Sequence, residues 1–264
     1  MVESFPGIPQ IPISFQLLEI GMSTTVMAPR RAKLQTDRIF FPCMCLLILV
    51  TVWLGFSKTY YAAGMVRAHL PAPIVHVHAA AMTLWLLTLV VQTSLVSIRK
   101  VKLHMAFGLW GFALAVCLIP IASAAAVNSL RRDFAPPGSG LSPLTFFIVP
   151  VSALLGFAVL AAWSYSVRRK PDQHKRLIIL ATIPLLDAAI GRFPYTVGIG
   201  ANPMVQLLII CLFPAALVVY DVYALRKVHR VTWIASLMLL VMWLTRIPLG
   251  QTAAWHAFAR MIHG

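Results

Sequence analysis

The chain has 264 residues, of which 60% are hydrophobic and 11% charged, and its formal net charge is +15. A water-soluble domain has about a quarter of its residues charged, so composition excludes that class and points to a multi-pass membrane protein. The basic excess does not indicate nucleic-acid binding. No DNA- or RNA-binding module is present, and Lys and Arg gather between apolar runs, where they orient helices and meet anionic lipid head groups.

Residues 1–38 read as a flexible basic N-terminal tail. Segment 5–20 mixes three prolines with apolar residues and shows no helical period, unlike a secretory signal. Met22 or Met27 is an alternative first residue. Arg30, Arg31, Lys33 and Arg38 form a basic collar ahead of the first apolar run. Since about 20 apolar residues cross a bilayer, the sequence predicts an all-α polytopic bundle of about seven transmembrane helices. These run over 39–57, 73–96, 103–127, 144–166, 175–191, 204–224 and 231–249. The fifth is short, holds Pro184 and is interrupted by Asp187, which predicts a kink. Residues 39–249 form one transmembrane domain, and 250–264 form a short interfacial tail with Trp255, Phe258 and Ile262 near one face.

Orientation follows from the basic residues. Taking the N-terminus as inside, the inner segments hold fifteen of the 22 Lys and Arg residues. They lie in the collar, at Arg99–Lys102, over Arg168–Arg176 and over Arg226–Arg230, and seven remain outside. This two-to-one bias predicts an inside N-terminus, an outside C-terminus and an odd number of crossings.

The candidate cofactor-binding residues are His76, His78, His104 and His174. The first two open the second span and His104 opens the third, so about 30 Å of hydrocarbon separates the ends of that hairpin. His104 and His174 begin different spans at similar depth. Two neutral imidazoles so placed suit the two faces of a b-type haem. On the outer side His76 or His78 could serve in the same way, and a second ligand there would have to come from His256, His263 or the loop residue His69. Interfacial histidines without a ligand are the plainer alternative, and proton handling is another. The four cysteines, Cys43, Cys45, Cys117 and Cys211, lie in apolar runs without metal-ligand spacing and read as small hydrophobes. No metal site is expected.

A carboxylate near mid-bilayer is costly unless it is paired or hydrated, which singles out Asp187. Arg192 stands five residues on, a poor distance within one helix, and Arg246 of the last span is the expected partner. Asp221 is expected to meet Arg226, Lys227 or Lys175. Gln92 reads as a polar group that joins helices.

Residues 73–192 resemble a bacterial family of multi-pass membrane proteins known as a domain of unknown function. The resemblance is carried by His76 or His78, Gln92, Arg99, His104, Gly108, His174 and Arg192. The family's usual His-Arg pair is His104-Met105 here. The resemblance implies a bacterial-type inner membrane and supplies no activity. Three functions are therefore open: a haem b electron-transfer protein, a proton-coupled transporter working through Asp187, or a non-catalytic component that binds a partner or lipid. The lipid bilayer is the expected surrounding in each.

Overall fold

The computed structural model describes the backbone of residues 13–62, 72–199 and 202–264, and side chains from residue 35 onward except those of 195 and 196 within these ranges. The described residues fall into two compact units, one ending at Asp37 and the other running over Arg38–Gly264. In the first, the described backbone is helical from Ile13, where a flexible tail was expected. Leu, Met, Ala and Arg, all good helix formers, each recur there.

Among the described residues the chain is helical with no strand. The helices are α1 (Ile13–Phe56), α2 (Pro73–Ser97), α3 (Val101–Arg131), α4 (Pro143–Phe146), α5 (Ile148–Ser166), α6 (Pro171–Thr182), α7 (Asp187–Ile190), α8 (Phe193–Thr196), α9 (Pro203–Leu225), α10 (Arg230–Gly250) and α11 (Ala253–His263). A π-helical turn, Ser57–Tyr61, ends α1, and a 3-10 turn, Ile183–Leu186, joins α6 to α7.

Among the described residues six helices are long and apolar enough to cross a membrane: Gln35–Tyr61, Pro73–Ser97, Val101–Arg131, Pro143–Ser166, Pro203–Leu225 and Arg230–Gly250. The protein is therefore an integral multi-pass membrane protein. Its outer faces agree with this. On α3, Trp110 is 75% exposed and Leu109 65%, an apolar surface that water would not tolerate and lipid covers. Cys43 and Cys117 face outward as well, while Cys45 is buried, so only some of the cysteines are core residues.

The fifth predicted span differs from the other six. It is a helix in three pieces, α6, the 3-10 turn and α7, and none of the pieces alone reaches spanning length. Pro184 explains the break. It has no N–H to give, and its ring excludes the carbonyl four residues before it. The backbone tightens, and the Asp187 N–H bonds to the Pro184 carbonyl in the 3-10 manner.

This broken helix is also the most buried part of the described residues. Leu177, Ile179, Leu180, Ala181, Ile183, Leu186 and Ala189 are fully buried. Its neighbours approach closely because they are small where they meet it. A Cβ on Gly55 of α1 would lie 2.5 Å from the Ala189 carbonyl oxygen and 2.7 Å from its Cα. A Cβ on Gly156 of α5 would lie 3.4 Å from Pro184 Cγ. From α2, Trp85 Nε1 donates to the hydroxyl of Thr182 at 3.3 Å.

One end of the broken helix is fixed by a fully buried ion pair. Arg176 Nε donates to Asp221 Oδ1 at 2.8 Å, and the Arg176 Nη1 group donates to the Asp172 carbonyl at 2.6 Å. The other carboxylate oxygen of Asp221 accepts from the backbone N–H of His229 at 3.0 Å and from the Thr232 hydroxyl. Arg176 and Asp221 are both inaccessible to solvent. The expected partners Arg226, Lys227 and Lys175 are replaced by Arg176. Lys175, next in sequence, points elsewhere and lies over the ring of Phe41 at 5.0 Å.

Arg176→Met should cost about 3–5 kcal/mol of stability, because it strands a buried carboxylate. Adding Asp221→Asn, which removes that charge and keeps an oxygen for His229 and Thr232, should recover more than half. Unfolding in detergent checks both. A double variant that loses the sum of the two single changes would show that the residues are not coupled.

Candidate functional site

The sequence candidates fall into two groups at opposite ends of α2, with an ion pair on the broken helix. At one end, the α2–α3 turn brings His104 against Gln92. The turn is tight, with Arg99 in the left-handed region at φ 64 and the Lys100 N–H bonded to the Leu95 carbonyl at 2.8 Å. The Gln92 amide, oriented by its surroundings, donates to the His104 carbonyl at 3.1 Å and to His104 Nδ1 at 2.6 Å. Its oxygen accepts from the Gly108 N–H at 3.2 Å. Gln92 thus joins α2 to α3, the role its polarity suggested.

His174 arrives from the first turn of α6. The chain reverses after α5, and the Ser164 hydroxyl donates to the His174 carbonyl at 3.2 Å. His174 Nδ1 lies 3.2 Å from the Ser164 carbonyl and 2.9 Å from its hydroxyl oxygen. A carbonyl can only accept, so Nδ1 carries the proton and Nε2 keeps its lone pair. Ser164 is completely buried and holds the ring firmly.

The structure brings His104 and His174 together, with ring centroids 6.4 Å apart and planes at 63°. Phe112 flanks His174 at 5.9 Å and meets Tyr165 at 4.9 Å. Both histidines follow a helix-capping lysine by four residues, their N–H groups bonding to the Lys100 carbonyl at 3.1 Å and the Lys170 carbonyl at 3.0 Å. Two basic turns therefore border the pair. Sequence reasoning found both histidines from depth alone. Ser164 gave no signal beforehand, because a single serine in an apolar run is ordinary.

At the other end, His76 and His78 separate as a helix requires of residues two apart. His76 is exposed, with Nδ1 at 3.3 Å from the Tyr60 hydroxyl. His78 turns inward toward a cavity, and its Nδ1 is buried without a hydrogen-bond partner among the described residues. The two do not share a partner. His256 Nε2 lies 3.0 Å from the Thr145 hydroxyl oxygen, and His263 Nε2 lies 3.2 Å from Asp133 Oδ1. Neither is joined to His76 or His78 by these bonds, and His69 lies outside the described residues. An outer pair of haem ligands is thus not assembled among the described residues.

Asp187 and Arg246 form a two-pronged ion pair. Arg246 Nη1 donates to Asp187 Oδ2, and Nη2 donates to Oδ1 at 3.2 Å. Their side chains are only 14% and 17% exposed. Arg192 takes no part in this pair. Its guanidinium lies over the Phe56 ring at 4.3 Å and donates to the Ala188 carbonyl. Among the described residues no group of three or more His, Cys, Asp or Glu is placed to hold a metal ion.

No protein-family model, no curated protein and no solved structure matches this chain.

Asp187→Asn should destabilise the protein by about 1–3 kcal/mol, since the amide cannot neutralise Arg246. The loss should be smaller than for Arg176→Met, because the Asp187 pair keeps some access to its surroundings. Paired unfolding curves test that order, and an Asp187→Asn protein as stable as the wild type would show that the pair contributes nothing to folding.

Proposed function

We propose that the His104–His174 pair binds a b-type haem and that the protein is a redox component of a bacterial-type inner membrane. The observation that carries this reading is the placement of the two imidazoles. Rings bonded through nitrogen to opposite faces of one metal at about 2.0–2.1 Å have centres about 6 Å apart, and these stand 6.4 Å apart. The number of ligands points the same way. A protein-built zinc or copper site needs three or four donors, whereas haem brings four nitrogens of its own and needs two more.

Further support comes from the groups behind the rings. A ligating histidine commonly donates its second N–H to a carbonyl, and His174 does so to Ser164. For His104 to present Nε2 in the same way it must hold its proton on Nδ1, and the Gln92 amide must turn its oxygen toward that proton. Rotation about one side-chain bond achieves this, with loss of the Gln92 bonds to the His104 carbonyl and the Gly108 N–H. Arg99, Lys100 and Lys102 on one turn, with Arg168, Arg169 and Lys170 on the other, supply positive charge at this end for the acidic edge of a haem. Bound there, haem would supply one-electron transfer. The resemblance over residues 73–192 rests in part on His104, His174 and Gln92.

The same reading takes the broken helix as a seventh crossing, with the N-terminus inside and the C-terminus outside. Its two ion pairs reach α10 through Thr232, which shares Asp221, and through Arg246. Those positions are fourteen residues apart, about 21 Å along a helix. A segment tied to both ends of a spanning helix runs through most of the membrane.

A second reading is favoured by the hydrogen bonds as they stand. Gln92 donating to His104 Nδ1 leaves the His104 proton on Nε2, whereas His174 has Nε2 unprotonated. Opposite tautomers suit proton transfer between the rings.

The purified protein, expressed with ample haem, should show a Soret band and sharp reduced α and β bands. His104→Ala and His174→Ala should each abolish them while the protein still elutes as a single species. A colourless wild type would overturn the haem reading and leave proton transfer to be tested.

A further inference from the structure

A cavity of about 170 Å³ lies at the end of the bundle away from His104 and His174, between the end of α1, the start of α2 and the broken helix. Its walls are apolar and aromatic, with Phe56, Met82, Trp85 and Leu186 among them. The hydrogen bond from Trp85 to Thr182 closes it toward the middle of the molecule. Tyr60 and Tyr61 line the side formed by the π-helical turn. Tyr61 is held by its hydroxyl, which donates to Thr83 Oγ1 at 2.8 Å, since the Thr83 proton is used on the Ala79 carbonyl.

Two side chains of this lining, Arg192 and His78, carry nitrogen groups that can bind an anion. Arg192 brings a permanent positive charge to the wall. His78 brings a ring whose Nδ1 is buried and has no hydrogen-bond partner among the described residues. A buried polar atom left unsatisfied is costly, so it indicates a site where something else supplies the partner.

The structure assigns this cavity as a binding site for a small monocarboxylate with an apolar body, the carboxylate placed at Arg192 and His78. Charge selects the head group. In a low-dielectric wall a guanidinium favours a full anion over a neutral carbonyl, and it can hold a carboxylate by two parallel N–H bonds. A neutral imidazole can turn an N–H toward the same oxygens. Volume limits the body, because a cavity of about 150 Å³ holds one benzene ring. One aromatic ring or a short alkyl chain fits, and a larger tail would have to leave by the open side. The site is independent of the histidine pair at the other end. Residues 78 and 92 of α2 are fourteen positions apart, about 21 Å along the helix.

The probe is 4-fluorobenzoate, followed by fluorine NMR on the full-length protein in a non-ionic detergent. The fluorine signal should shift and broaden saturably, and unlabelled benzoate should displace the probe. Benzamide, of the same shape without the charge, should displace it poorly. Arg192→Gln should weaken binding about tenfold or more. Met82→Trp, which fills the cavity and leaves both Arg192 and His78 in the chain, should also abolish binding, and its unfolding midpoint shows whether the fold has survived. The proposal fails if the wild type shows no saturable binding, if benzamide competes as well as benzoate, or if Arg192→Gln binds like the wild type.

Discussion

The structure depends on the cost of burying charge in the middle of a membrane bundle. An arginine and an aspartate inside hydrocarbon are each prohibitive alone and become tolerable only when paired and fully hydrogen-bonded. Arg176 and Asp221 meet that condition, with Asp172, His229 and Thr232 completing the set. Asp187 and Arg246 are paired at the far end of the same segment, with Arg246 Nε left without a hydrogen-bond partner among the described residues. The broken helix thus has one acceptable register against α9 and α10. A slip by one residue would leave four charges without partners. Apolar packing gives affinity between these helices, and the ion pairs give position.

Both polar sites inherit that position. His174 lies two residues before Arg176, so the pair that anchors Arg176 also sets where the His174 ring meets His104. Arg192 lies five residues after Asp187, beyond the second anchor, and there it lines the cavity with His78. One structural segment supplies a component of each site, although the sites lie at opposite ends of the bundle. The Pro184 break between the anchors gives the backbone a local change of pitch without loss of burial.

Much of this was legible in the sequence. Six spans follow from runs of apolar residues, and the weakness of the fifth follows from Pro184 and Asp187. The Asp187–Arg246 pair could be named because Arg246 is the only cation inside the last apolar run. The Asp221 partner could not be chosen, because Lys175, Arg226 and Lys227 offered the same charge at a similar depth. Helical phase separates them: Arg176 shares an inward face with Leu180 and Ile183, while Lys175 does not. The cavity was out of reach for another reason. Its walls come from three segments far apart in sequence, and only His78 and Arg192 stood out beforehand. Helix formation from Ile13 was missed because the prolines before it were given more weight than the helix formers after it.

The measurement that tests this account most directly is the sidedness of the two termini. Reporters that work on only one side of the membrane, fused in turn to the N- and C-terminus, count the crossings as odd or even. If the broken helix crosses between its two anchors, there are seven crossings and the termini report from opposite sides, the N-terminus inside. Termini on the same side would mean six crossings. The broken helix would then be a re-entrant segment, and the shared depth of its ion pairs with α10 would need another explanation.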